Sequence, residues 1–273
     1  MQASATGAQD TGHATAYARF RAAVAQAQFE QWLAGFAPRR ATLIDISGPA
    51  AGAQAAAMAA AAGHTVLRVA PPGTIAPPGT LAAPGTLAPP ETPAAGIPGS
   101  RLRSVTADGY GLGFLADRCA DALIAEDRTL SRNLAAETLV AEIARVLRPG
   151  GRVFASVDSL TLGMAVLARQ NHWPHLVDLP HQDVILVPWP DGTITRCYGG
   201  EHIGELFTGA GFRVCWIRPR TVFAPTTVSY LLDRDPGSFQ QLLSAELQAR
   251  GDDSVGDQLI VSAIREEPRA PHG

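Results

Sequence analysis

The densest group of ionisable side chains in this sequence is His172-Trp173-Pro174-His175, with Asp178 and His181 close behind. Three imidazoles and a carboxylate could hold a metal, take a proton from a substrate near neutral pH, or be ordinary surface histidines. Pro174 and Pro180 argue against one shared helical face, and no Cys or Glu completes a metal-ligand spacing. His172 and His175 are therefore the proton-acceptor candidates. Trp189, Tyr198 and Trp216 could line an acceptor pocket, although aromatic residues on strands more often build the core. No Gly-x-Ser-x-Gly elbow offers a serine nucleophile. All 22 basic residues are Arg, and the absence of Lys excludes Schiff-base, phosphate-loop, kinase and Ser-x-x-Lys chemistries, which need an amine.

Composition narrows the class further. With 46% apolar and 17% charged residues over 273 positions, the chain can bury a real core in one or two domains. A formal charge of −3 makes a generally basic nucleic-acid surface a poor expectation. Three widely spaced cysteines, Cys119, Cys197 and Cys215, make neither a disulfide framework nor a paired metal motif. The first fifteen residues have no basic n-region and no apolar h-region, and no stretch is long and apolar enough to span a bilayer. A soluble, cytoplasmic protein is expected.

The elements that must position those side chains can be read from periodicity. Residues 14–36 form an amphipathic helix with Tyr17, Phe20, Val24, Phe29, Trp32, Leu33 and Phe36 near helical spacing, ended by Pro38. Residues 43–46 read as a strand, 50–62 as an Ala-rich helix stopped by Gly63, and 64–69 as a second strand. A strand, turn, helix and strand in about thirty residues make a right-handed βαβ unit. Between 70 and 100 the composition changes to four imperfect hexapeptide copies such as Pro71-Pro72-Gly73-Thr74-Ile75-Ala76. Their proline content removes the backbone donors a β-helix would need, so a polyproline-like or disordered surface insertion is predicted.

Alternation then resumes. Strands are expected at 102–105, 120–125 and 152–157, with a helix at 134–147 that stops at Arg148-Pro149-Gly150-Gly151. Residues 184–187 and 193–198 flank Asp191-Gly192 as a hairpin. A short helix at 203–208, a strand at 212–217, helices within 222–249 broken by Asp235-Pro236-Gly237, and a last strand at 258–264 complete the pattern. The prediction is an α/β fold with a doubly wound, largely parallel sheet and ligands at the carboxyl ends of its strands.

From about 41 to 265 the chain resembles the class I S-adenosylmethionine (SAM) dependent methyltransferases, of the type 11-like kind. The resemblance rests on Ala120-Asp121-Ala122-Leu123-Ile124-Ala125-Glu126-Asp127, on Leu147-Arg148-Pro149-Gly150-Gly151 entering the fifth strand, and on Leu206-Phe207-Thr208-Gly209-Ala210-Gly211-Phe212. It implies a Rossmann-like seven-stranded sheet, mostly parallel with an antiparallel last strand, and helices on both faces. It also implies SAM as cofactor, with Asp45, Ser47, Gly48, Asp108, Gly109 and Glu126 at the binding positions and methyl transfer to a small-molecule acceptor. No nucleic-acid or membrane partner is expected, and no metal.

The chain departs from the family pattern in two places. Aligned without gaps, Ser47, Pro49 and Ala51 stand where glycines are expected, and Ala70 stands where the second strand usually ends in a ribose-binding acid. A charged hydrogen bond is worth roughly 1.5–3 kcal/mol, so the second loss alone could weaken binding by roughly 10- to 150-fold. Two alternatives follow: a methyltransferase-like protein that no longer methylates, and a nicotinamide oxidoreductase, which lacks its Gly-x-Gly-x-x-Gly. The expected layout is a helical cap over 1–40, the methyltransferase-like domain over 41–265 and a disordered tail over 266–273. Within the domain, 70–100 is the low-complexity insertion, and 160–200 and 221–250 are lid or substrate insertions.

Overall fold

The computed structural model describes residues 3–36, 40–70, 101–107, 111–177, 182–249 and 256–267. The repeat at 71–100, Asp108, Gly109, Asp178, His181, Pro38 and most of the tail lie outside the described residues. The chain opens with helix α1 (Ala3–Ala34), then β1 (Thr42–Asp45), α2 (Pro49–Ala61), β2 (Thr65–Ala70), β3 (Leu102–Thr106) and β4 (Ala120–Ala125). Next come α3 (Thr129–Arg132), α4 (Ala136–Val146), β5 (Leu147–Ser159), α5 (Leu160–Arg169) and α6 (Trp173–Val177). The hairpin β6 (Val184–Pro188) and β7 (Ile194–Tyr198) follows, then α7 (Gly200–Gly209), β8 (Phe212–Arg220), α8 (Pro225–Arg234), α9 (Phe239–Gln248) and β9 (Gln258–Arg265).

The strands form one mixed sheet. β3, β2, β1, β4 and β5 run side by side in that order, all parallel. β9 lies antiparallel to β5 over Arg152 to Asp158, and β8 lies antiparallel to β9. These seven strands are the predicted sheet. The hairpin adds two more, because β5 runs on past the end of β4, whose pairing stops at Ala155, and on that edge pairs with β7 at Asp158 and Ser159. Strand order reverses between β1 and β4, so their carboxyl ends part at a switch point, where such sheets bind ligands.

Two apolar layers hold the sheet. Against one face pack Leu139, Val140, Ile143 and Val146 of α4, with Ile203 and Phe207 of α7, all fully buried. The other face is covered by α1 and α2. There Phe29 and Trp32 meet Phe154 of β5 with ring centroids 5.5 and 5.3 Å apart, and Trp216 of β8 closes the layer at 6.3 Å. The middle of α1 lies beyond the sheet, where Phe20 and Val24 pack with Val228, Leu232 and Leu242 of α8 and α9. At the entry to β5, Gly150 has φ +77°, a conformation that favours glycine, and a Cβ on Gly151 would collide with the Arg148 carbonyl. Among the described residues no helix is long and apolar enough to cross a membrane.

Alternation along the strands decides what faces α1 and α2. Leu43, Val66, Phe154 and Ile260 belong to that layer. The residues two places further toward the carboxyl edge therefore share its face: Asp45, Arg68, Ser156 and, on the antiparallel β9, Gln258. Register places Asp45 beside Arg68 and Gln258 beside Arg220. The carboxyl edge thus carries a buried polar row under an apolar roof.

Candidate functional site

Asp45 ends β1 and is completely buried. Its Oδ1 accepts the Ser47 amide at 2.9 Å, while Oδ2 has no hydrogen-bond partner. Burial raises its pKa to about 6, against the hydrogen bonds from Ser47 and the charge of Arg68. Arg68 is also buried, and its Nε has no hydrogen-bond partner.

The turn after β1 is stitched to the loop after β4. Ile46 N–H donates to the Ile124 carbonyl at 2.9 Å, Gly48 N–H to the Glu126 carbonyl at 3.1 Å, and Glu126 N–H to Ser47 Oγ at 2.9 Å. Thr129 Oγ1 donates to the carbonyls of Ile46 and Glu126. Gly48 is the N-cap of α2, which has no side-chain cap hydrogen bond. The Asp127 carboxylate lies where a Cβ on Gly48 would stand, so only glycine allows this approach. Asp127 and Arg128 both have positive φ, at +58° and +65°, which stores strain in the loop.

Glu126 follows β4 and is buried with its charge paired. Arg220, at the end of β8, donates from Nη1 and Nη2 to the two carboxylate oxygens at 2.8 and 2.9 Å. Its Nε donates to Gln28 Oε1 of α1 at 2.7 Å, and Gln28 Nε2 donates to the Pro219 carbonyl. The next residue, Thr221, has φ +64°, uncommon for a β-branched side chain. Glu246 of α9 fixes the same turn by accepting the amides of Val222 and Phe223. On the hairpin side, Arg128 donates to both oxygens of buried Asp158 and stacks over Trp189 at 4.1 Å. A cleft of about 300 Å³, counting its open mouth, runs between α1 and α2 past Phe29, Ala55 and Met58 to Glu126.

The predicted cofactor residues Asp45, Ser47, Gly48 and Glu126 meet at the switch point. Ala70, fully buried, offers no side-chain oxygen there, and its carbonyl accepts the Ala107 amide at 3.1 Å. The predicted histidines lie elsewhere. His172 is half-buried just past α5, its amide donating to the Leu167 carbonyl, and His175 is within α6, which packs on α5. Tyr198 is a core residue stacked on His202, and Trp216 belongs to the layer under α1.

Sequence reading missed Arg68, Arg220 and Gln28. Gln28 had a signal, since it interrupts the apolar stripe of Val24 and Trp32 at helical spacing. Arg68 interrupts an apolar strand in the same way. Arg220 had none, because Pro219 ends the apolar run before it.

For a SAM-like ligand the donor set fits at one end. The α2 N-terminus and the unpartnered Asp45 oxygen suit an amino-acid head, whereas Ala70 supplies nothing to a ribose diol. Comparison with solved structures agrees with the architecture. The chain is similar to the Burkholderia thailandensis 1,6-didemethyltoxoflavin-N1-methyltransferase, solved with 1,6-didemethyltoxoflavin and S-adenosylhomocysteine. Identity there is 17%, over 91% of this chain and 78% of that one, with a TM-score of 0.52. It is also similar to a Haloferax volcanii chain assigned as a methyltransferase, solved in complex with the Trm112 methyltransferase activator. That match has 12% identity, 96% and 97% coverage and a TM-score of 0.54. A geranyl diphosphate methyltransferase solved with GPP and sinefungin matches at 15% identity, 88% and 78% coverage and a TM-score of 0.50. No protein-family model and no curated sequence matches the chain. The fold is that of the class I SAM-dependent methyltransferases.

Proposed function

We propose that this chain transfers a methyl group from SAM to a small-molecule acceptor. The observation that carries the reading is the switch point itself: the tip of β1, the N-terminus of α2 and the β4 loop converge there around the buried Asp45 carboxylate. When bound, the cofactor supplies an electrophilic methyl group on sulfur. The chain's part is to bind, orient and exclude water, so the reading needs proximity and desolvation more than a protein base. Asp45, Ser47 and Gly48 would hold the amino-acid end, Asp108 and Gly109 the adenine, and Glu126 would complete the cofactor-binding set. Phe29 and Trp32 of α1 cover this face of the sheet beside the cleft. His172 and His175 are left as candidates for taking the acceptor's proton.

A second reading, a methyltransferase-like protein that has lost methylation, is favoured by a specific observation. The amides of Gly48 and Glu126 are spent on the chain itself, and Ala70 replaces the ribose acid. Calorimetry of the purified chain with SAM and S-adenosylhomocysteine separates the two. The first reading expects binding that Asp108→Ala abolishes while circular dichroism stays unchanged. A folded protein that binds neither ligand would establish the second, and full affinity in the variant would refute the adenine assignment.

A further inference from the structure

Methyl transfer gives no reason for the β4 loop to be held as it is. Two neighbouring carboxylates on it are both engaged by the chain. Asp127 rests against Gly48 at the α2 N-terminus, the place where a helix attracts an anion. Glu126 is clamped by Arg220, which Gln28 ties to α1. The backbone takes a left-handed conformation at Asp127, Arg128 and Thr221, hence on both sides of the clamp. Such conformations persist only when their surroundings impose them, and they collect at switching elements. The α1–α2 cleft extends as far as Glu126, so the buried clamp lies at the inner end of a surface opening.

We infer that residues 126–129 are a gate and that this structure is its closed form. Asp127 takes the place of a ligand carboxylate at α2, and the Glu126–Arg220–Gln28 clamp locks the loop to α1. A ligand with an amino-acid head displaces Asp127, frees the Gly48 and Glu126 amides and lets the loop leave its left-handed conformation. This rests on the methyl-donor reading for the identity of the ligand, though not for the existence of the gate.

Hydrogen–deuterium exchange of the full, ligand-free chain tests the gate directly, because the Gly48 and Glu126 amides are protected only while the loops are stitched. The double variant Glu126→Gln with Arg220→Gln removes both charges together, so neither is left buried alone. It is expected to speed exchange at those two amides about tenfold or more, with the β5–β9 ladder unchanged. Asp127→Ala leaves the clamp intact. By removing the internal competitor it is expected to tighten S-adenosylhomocysteine binding about tenfold by calorimetry. Unchanged exchange in the double variant overturns the gate, as does an Asp127→Ala protein that binds no tighter than its parent when the parent binds. Faster exchange with no binding by any of the three proteins keeps the gate and removes the methyl donor. Unchanged exchange with normal binding does the reverse.

Discussion

At the residue scale, the Glu126–Arg220 pair is a folding constraint as well as a candidate clamp. Their side chains are 7% and 4% exposed, so replacing one strands the other charge away from water. Glu126→Gln or Arg220→Gln alone is expected to cost about 3–5 kcal/mol, and the double substitution far less. Urea denaturation of the three variants checks this; additive losses would show that the two charges do not depend on each other. Asp45 gives a pH signature. Its folded pKa of about 6 lies above the ordinary 3.8, so the native state binds this proton more tightly than the unfolded chain. The cost of burying the carboxylate is therefore present in full above pH 6 and fades as pH falls toward 4. Asp45→Asn should exceed the parent in stability by about 1–3 kcal/mol at pH 7.5, and the gap should close near pH 4. A gap that does not vary with pH would contradict this.

At the scale of elements, the contact between the start of α2 and the β4 loop joins two βα units that lie far apart in sequence. Gly48→Ala forces a Cβ into the Asp127 carboxylate and should cost about 1–2 kcal/mol. Combined with Asp127→Ala, most of that loss should vanish, a coupling of about 1 kcal/mol in a double-mutant cycle. If the two losses simply add, Gly48 is needed for its own backbone and not for this contact. The elements themselves were largely legible. α4 was marked by its apolar spacing and by the Arg148-Pro149-Gly150-Gly151 stop, and the hairpin by Asp191-Gly192. α1 extends to Ala3, well before the predicted start, because the residues ahead of 14 carry no periodic apolar stripe to read. β5 begins at Leu147 rather than 152, since Ala120 pairs with Leu147 across a register shift that periodicity does not encode.

At the scale of the whole molecule, β2 and β3 pair over five residues and Ala70 bonds to Ala107, so the described sheet is complete without the repeat between them. Deleting Pro71 to Pro93 should leave the melting temperature within about 3 °C, because loop length enters stability only through a slowly varying closure entropy. A larger drop would mean that the segment packs on the protein. α1 spans two packing layers, with Phe29 and Trp32 on the sheet and Phe20 and Val24 on α8 and α9. Any opening of the site that moves α1 must therefore be paid for in apolar contacts at one end or both, which favours motion of the β4 loop instead.

What the sequence by itself determined was the run of elements and hence the class of fold. Apolar periodicity, helix stops and turn residues act within a few positions of one another, and right-handed crossovers then leave few ways to assemble parallel strands. That Asp45, Ser47, Gly48 and Glu126 stand at or just after strand ends was legible for the same reason. Only the tertiary structure decided which polar groups answer one another. Arg220 lies 94 positions from Glu126 and 192 from Gln28, so their meeting depends on strand order, register and the side of the sheet that α1 covers. A buried charge must find its partner wherever folding brings one, and no local pattern in the chain carries that information.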